Sequence, residues 1–367
     1  MQSCLERIVN LDTNIRSDDF KKIGSLDEKS FIRNRKLTYP DIQWLILNKK
    51  GMTQAMELYS YYKIKKAENV TVQAFSKARK NLNPDIFTEL NKSYLNELYS
   101  NVSTKYYDNR VLLAVDGCVQ ELWDNEKLKE IYGGTTNKNG EVTRVKVKTC
   151  AIYDCLNHMI IDFQMGPYKT SEKELSILNI ENALNFFKND EIILIFDRGF
   201  PSIELFNYLI ENNIKFLARL KKVSYKKEKE EMKTNDECIN IEITKNRMTH
   251  IKDEKLKKQL LDKKEIRVRI TKIPLENDEE EHLVSNFYKD ELDYFQIKDL
   301  YAKRWEIEKS FDVLKSKLQI ENISGESKIA IEQDFKAQIL VHNVIQDIKN
   351  EAEKGYNFKK KENINIK

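Results

Sequence analysis

Beyond residue 110 the chain alternates between apolar runs and segments of helical period, and this alternation strongly limits its fold. The run VLLAVDG (111–117) is apolar, as is typical of a buried strand, and RVKVKTCAIYD (144–154) and HMIIDFQM (158–165) follow it. A helical segment precedes a fourth strand, EIILIFDRGF (191–200), and another helix precedes a fifth, IKFLARLKK (214–222). This order predicts a mixed α/β sheet.

The same order of strands and helices is that of a ribonuclease H-like sheet. It is interrupted at 222–290, where three alternating runs predict a β-rich insertion, and two long helical segments follow. Residues before 110 have helical period. We therefore predict an α/β fold, a ribonuclease H-like mixed sheet with a β-strand insertion, preceded by an α-helical N-terminal domain.

The N-terminal third is basic. Residues 1–110 contain 19 Lys and Arg against 13 Asp and Glu, although the whole chain has a net charge of only +4. Lys77, Arg79 and Lys80 are spread around a short helix predicted at 71–82, and a second helix follows it closely. This pattern favours a helix-turn-helix-like DNA contact, and a plain helical bundle with solvated lysines is the alternative.

Cysteine spacing and hydropathy exclude several classes of protein. The five cysteines form no CxxC pair and no zinc-like cluster with histidine, so we expect reduced thiols in a cytoplasmic protein. No apolar run approaches the ~20 residues that cross a membrane, and the N-terminus lacks the apolar segment of a secretory signal.

Two apolar runs end in an aspartate, Asp116 and Asp197, and a later helix carries Glu308. Sites in open sheets collect at the carboxyl ends of strands, so these three carboxylates are expected at one rim. Crowded carboxylates are stabilised by divalent cations, and their hard oxygens suit Mg²⁺ or Mn²⁺. Two such ions suit in-line attack on a phosphodiester. Each aspartate alone is more often an ordinary turn residue, so the combination carries the prediction.

The stretch YAKRWEIEKSFDVLK (301–315) places Tyr301, Arg304, Glu308 and Lys315 within an arc of about 60° if it forms one helix. Arg304 and Glu308 are also spaced as an ordinary i,i+4 ion pair on a solvated face. The helix alone does not distinguish a functional stripe of these four residues from an ordinary ion pair.

Together these residues resemble the DDE transposases of bacterial insertion sequences, in particular the insertion-sequence-four group with its Tyr-x2-Arg-x3-Glu-x6-Lys signature. The resemblance implies that Asp116, Asp197 and Glu308 are catalytic and bind two Mg²⁺ or Mn²⁺ ions. It implies that the other signature residues and an arginine on the fifth strand hold DNA. The implied DNA-binding residues are Tyr301, Arg304, Lys315 and Arg219.

The resemblance further implies cut-and-paste transposition through a hairpin intermediate, on double-stranded DNA that includes terminal inverted repeats and target DNA. It implies a homodimer in the synaptic complex, a nucleoid-associated location and no membrane. Relatives often stack a Trp of the insertion on a flipped base, but 222–290 contains none. The substitutes we consider are Tyr225, Phe287, Tyr288 and Trp123.

Two alternatives to a transposase remain: a catalytically idle DNA-binding protein of transposon origin, and a stand-alone ribonuclease H-like nuclease. The predicted divisions are a helical DNA-binding domain at 1–105, a catalytic core in two parts at 106–221 and 291–350, a β-rich insertion at 222–290 and a basic tail at 351–367.

Overall fold

The computed structural model describes residues 3–33, 35–100, 104–249, 251, 253–275, 279–316 and 323–355, without the side chains of 313–316 and 354–355. Within these ranges no helix is both long and apolar enough to cross a membrane. The N-terminal part is helical, as predicted. Its helices are α1 (Cys4–Arg16), α2 (Asp18–Gly24), α3 (Tyr39–Leu47), α4 (Gln54–Lys65), α5 (Val72–Arg79) and α6 (Asp85–Tyr99).

A mixed sheet follows. Its strands are β1 (Val111–Glu121), β2 (Gly134–Thr136), β3 (Val142–Asp154), β4 (Met159–Pro167), β5 (Ile192–Phe196), β6 (Lys215–Arg219), β7 (Asp236–Glu242), β8 (Glu265–Pro274) and β9 (Glu280–Ser285). In the described chain they form one sheet in the order β2-β3-β1-β5-β6-β9-β8-β7, with β4 also paired to β3. β1, β5 and β6 are parallel, and the other pairs are antiparallel.

Helices and apolar side chains cover both faces of this sheet. The remaining helices are α7 (Glu126–Tyr132), α8 (Glu172–Ala183), α9 (Ile203–Glu211), α10 (Lys226–Glu230), α11 (Glu254–Lys263), α12 (Tyr294–Ala302), α13 (Trp305–Ser316) and α14 (Lys328–Gly355). Successive strand residues point to opposite faces. In β1, Leu113 packs with residues of α8 and α9, whereas Leu112 packs with residues of α12, α13 and α14.

Strand β1 continues past Asp116 to Glu121, so the prediction that Asp116 closes its strand is wrong. The pairing with β5 stops one residue before Asp116, but the longer β3 pairs with β1 as far as Glu121. Because β3 satisfies the backbone of this extension, the Asp-Gly sequence does not turn the chain here. Asp197 does follow the end of its strand, β5, as predicted.

The strands predicted in the insertion are present and extend the same sheet. β9 pairs antiparallel with β6, and β8 and β7 continue outward from it. Arg219 in β6 lies opposite Leu283 in β9. The insertion therefore supplies a strand beside the central parallel strands.

The helix expected to carry all four signature residues is interrupted, so that prediction is wrong. α12 ends at Ala302 and α13 begins at Trp305. Backbone bonds between residues three apart, including Arg304 N–H to the Tyr301 carbonyl at 3.0 Å, form a tight turn between the two helices. Tyr301 lies in the last turn of α12, Arg304 in the junction and Glu308 on α13.

Buried ion pairs join α14 to the N-terminal helices. Arg79 of α5 and Lys49 both pair with Asp334 of α14, and all three side chains are less than one-tenth exposed. Arg79 also donates to Gln333 and to the Ala330 carbonyl. Arg79 is therefore part of the interior and not of a DNA-binding surface, whereas its neighbours Lys77 and Lys80 are exposed.

We predict that Asp334→Ala lowers the free energy of unfolding by about 3–5 kcal/mol, because it leaves two buried cations without their shared carboxylate. Chemical denaturation measures this change. The control is Asp85→Ala, which removes a solvent-exposed carboxylate paired with Lys336 across the same interface and should cost less than about 1 kcal/mol. Equal effects of the two substitutions would contradict the prediction.

Candidate active site

Asp116 lies on β1, and Asp197 directly follows the neighbouring parallel strand β5. Ala114 pairs with Ile195 in the register of β1 and β5, and each aspartate follows its pair member by two residues. Ala114 and Ile195 both face α12, α13 and α14. Alternate residues of a strand share a face, and adjacent strands are about 4.8 Å apart, so both carboxylates project toward these helices.

The environment of Asp116 disfavours its negative charge. Its pKa is raised to about 6, chiefly by burial and to a lesser extent by the charges of Asp197 and Glu308. The Gly117 N–H, which donates to Asp116 at 2.9 Å, and the cation of Arg304 act in the opposite direction. The net shift shows that negative charge at this position is incompletely compensated.

Tyr301 and Arg304 lie buried against the two aspartates. The Tyr301 hydroxyl donates to Oδ1 of Asp197 at 3.4 Å. The guanidinium of Arg304 lies over the Tyr301 ring at 5.8 Å and over the exposed Trp305 ring at 4.9 Å. Although Arg304 is only 3% exposed, its Nε has no hydrogen-bond partner among the described residues. A buried donor of this kind is suited to an additional acceptor.

Glu308 is held by Arg304, with 2.7 Å between Oε1 and Nη1. Its charge acts on Asp116, but in the described chain no three Asp, Glu, His or Cys side chains are grouped closely enough to hold a metal ion. The oxygen donors of Asp116 and Asp197 fit the chemistry of Mg²⁺ or Mn²⁺. Glu308 would join them by exchanging Arg304 for the ion.

Arg219 lies at the same rim, where its Nε is 3.0 Å from Oε1 of Glu281 on β9. The sequence analysis missed Glu281, because nothing in its local sequence indicates that β9 pairs with β6. It also missed Glu172, the first residue of α8. A side chain at Gly117 would come within 2.8 Å of Glu172, and Gly199 lies against the same carboxylate. The sequence does contain one signal for Glu172: a glycine closely follows each of Asp116 and Asp197, and both glycines lie near this carboxylate.

The other predicted DNA-contact residues are distributed differently. The backbone of Lys315 belongs to α13, but its side chain lies outside the described residues. Phe287 is buried and Tyr225 packs on Phe206 and Arg247, so neither has a free ring face for a base. Tyr288 and Trp123 are more than half exposed.

Comparison with protein families matches residues 111–344 to a family described as a transposase DDE domain. Among solved structures, the fold is similar to a chain in the cryo-EM structure of a piggyBac transposase synaptic complex with hairpin DNA. The TM-score is 0.50 at 9% identity, over 98% of this chain and 78% of that chain. At this identity the similarity concerns the fold alone. Comparison with curated proteins gives no match.

We predict that Asp116→Asn stabilises the protein by about 1–3 kcal/mol at pH 7.5 in EDTA, because it removes an ionised carboxylate from a site that disfavours charge. Since the folded pKa is raised, the penalty is complete above about pH 6 and declines as the pH falls from there to the ordinary aspartate pKa of 3.8. Thermal or urea unfolding measures the gain. Glu121→Gln, at an exposed site on the same strand, should change stability by less than about 0.5 kcal/mol. A destabilised Asp116→Asn variant would refute this account.

Proposed function

The chain belongs to the family of transposase DDE domains, and from this premise we propose that it is a cut-and-paste DNA transposase. As a member it is an enzyme that cleaves nucleic acid and transfers strands, and the family generally uses divalent metal ions. The observation that carries the proposal is the placement of Asp116 and Asp197 on adjacent parallel strands, beneath Tyr301 and Arg304.

Asp116, Asp197 and Glu308 are proposed to hold two Mg²⁺ or Mn²⁺ ions. When bound, such ions activate water or a 3′-hydroxyl and stabilise the leaving oxygen of a phosphodiester. The raised pKa of Asp116 supports this role, because a poorly compensated carboxylate gains much from a cation. Arg304 neutralises part of this charge and pairs with Glu308, which would exchange this partner for an ion.

Arg304, Tyr301, Lys315 and Arg219 are proposed to hold the DNA backbone. Arg304 released from Glu308 presents a planar fork that matches two phosphate oxygens, and its unpartnered Nε is a further donor. Tyr301 directs its hydroxyl toward Asp197 and so lies where a phosphate would meet the metal ligands. The arrangement fixes the scissile phosphate beside the carboxylates, which in-line transfer requires.

The N-terminal helices are proposed to bind the element ends as a domain at 1–105. A cleft of about 600 Å³ between α1, α2 and α3 supports this role. Basic residues outnumber acidic residues along it, which suits the phosphates of DNA. The basic side chains at the cleft are Arg16, Lys21, Lys29, Arg33 and Arg35.

We also propose that the sheet is ribonuclease H-like and that the chain belongs to the insertion-sequence-four group. The order β4-β3-β1-β5-β6, with β1, β5 and β6 parallel, supports the first assignment. The spacing of Tyr301, Arg304, Glu308 and Lys315 supports the second. The resemblance to this group is the basis for proposing a core at 106–221 and 291–350, an insertion at 222–290, a basic tail at 351–367, a hairpin intermediate and a homodimer.

Replacing Asp116, Asp197 or Glu308 singly by Ala should lower cleavage of element ends at least ~100-fold and leave end binding intact. Each substitution removes a proposed metal ligand and leaves the proposed phosphate-binding side chains themselves unchanged. The assay is cutting of labelled duplexes from the flanks of the chain's own gene, with Mg²⁺, alongside a gel-shift assay. Glu306→Gln, on the same helix as Glu308, is the matched control and should cut normally. Undiminished cleavage by any of the three Ala variants would refute this site.

A supercoiled plasmid that carries both gene flanks should yield excised ends and strand-transfer products when incubated with the protein and Mn²⁺. The cut flanking or element ends should migrate as hairpins in a denaturing gel. Cutting without strand transfer would indicate a stand-alone nuclease. Binding without cutting would indicate a catalytically idle protein.

A further inference from the structure

Glu281 is a carboxylate at the rim with no role in the chemistry described above. It lies on β9, two residues before Leu283, which is the register partner of Arg219 on β6. Leu283 faces α12, α13 and α14, so Glu281 projects from the same face of the sheet as Asp116 and Asp197. The insertion therefore contributes an acidic side chain to the site.

The charges around Glu281 connect it to most of the site. Its side chain is only 14% exposed, and burial raises the pKa of its carboxyl group. Arg219 and Arg304 lower that pKa, and Asp197 raises it. Glu281 and Arg219 both act on the phenol of Tyr301 as well. Glu281 is thus a counter-ion between two arginines and a metal-binding aspartate.

We propose that Glu281 is a positioning residue, which holds Arg219 ready for a DNA phosphate and keeps its guanidinium away from Asp197. This inference rests on the proposed function, since it assigns Arg219 to the DNA. Glu281 acts through Arg219 and does not itself touch the reacting phosphate.

The geometry of the ion pair suits this role. Glu281 approaches Arg219 at its Nε, and this approach suits an arginine whose terminal nitrogens grip a phosphate. Arg219 and Asp197 both act on Glu281 and on the phenol of Tyr301, so an arginine released from Glu281 is free to turn toward Asp197 or toward Glu279, on which it also acts. An Arg219–Asp197 pair would occupy an oxygen that the metal site needs. Loss of Glu281 therefore weakens both phosphate and metal binding.

The test compares Glu281→Ala, Glu281→Gln, Arg219→Ala and the Ala double variant. For each, we would measure the Kd for a duplex from the gene flank, the single-turnover cutting rate at saturating DNA and the Mg²⁺ concentration for half-maximal rate. Glu280→Ala is the matched control, because Glu280 is the preceding residue on β9 and is mostly exposed. Thermal unfolding of every variant separates local effects from misfolding.

Glu281→Ala should weaken DNA binding about tenfold and raise the required Mg²⁺ concentration several-fold. Glu281→Gln retains an oxygen that accepts from Arg219 and should recover most of the binding. In the Arg219→Ala background, Glu281→Ala should have no further effect on binding, because the two residues act as one unit. Glu280→Ala should match the unmodified protein.

Additive losses in the double variant would overturn the proposal, because they would show that Glu281 acts independently of Arg219. Unchanged binding and Mg²⁺ dependence in a folded Glu281→Ala protein would overturn it too. So would a folded Glu281→Gln protein that binds DNA as weakly as Arg219→Ala. Failure of the proposed function is visible separately. In that case the unmodified protein leaves the duplex uncut, or the Asp197→Ala variant cuts the duplex as well as the unmodified protein does.

Discussion

The repulsion between two carboxylates on adjacent parallel strands is the constraint on which the site depends. The register of β1 and β5 brings Asp116 close to Asp197. Burial is the main cause of the raised pKa of Asp116, and the charge of Asp197 adds to it. Arg304, the Tyr301 hydroxyl and the Gly117 N–H provide partial compensation. The residues that relieve the repulsion are thus the ones that surround the site.

The interruption between α12 and α13 determines how Arg304 is packed at the site. A continuous helix would hold Tyr301, Arg304 and Glu308 on one stripe at fixed separations. The tight turn instead buries Arg304 between the Tyr301 ring, the Trp305 ring and Glu308. A guanidinium packed in this way loses little conformational freedom when it binds an anion, which suits the proposed contact of Arg304 with a phosphate.

Buried ion pairs, which solvent does not reach, join the N-terminal helices to α14. Asp334 is shared by Arg79 and Lys49 in the interior, and a second buried pair joins Arg7 to Asp347. Such pairs contribute little net stability compared with apolar packing, but they tolerate few alternative arrangements. They therefore fix the orientation of α5 against α14. Lys77 and Lys80, by contrast, are exposed at the surface.

The sequence by itself determined the helical N-terminal part, the strands of the sheet and the acidic residues at its centre, because periodicity and apolar runs are local signals. It predicted one continuous helix over 301–315 and a strand end at Asp116, and both predictions were wrong. The strand continues because β3, distant in the chain, pairs with it, and the helix is interrupted by a tight turn at 301–305. Only the tertiary structure decided that β9 lies beside β6, that Glu281 faces Arg219 and that Arg79 is buried. Pairings between strands and ion pairs across elements depend on contacts between residues far apart in the chain, and no local pattern encodes them.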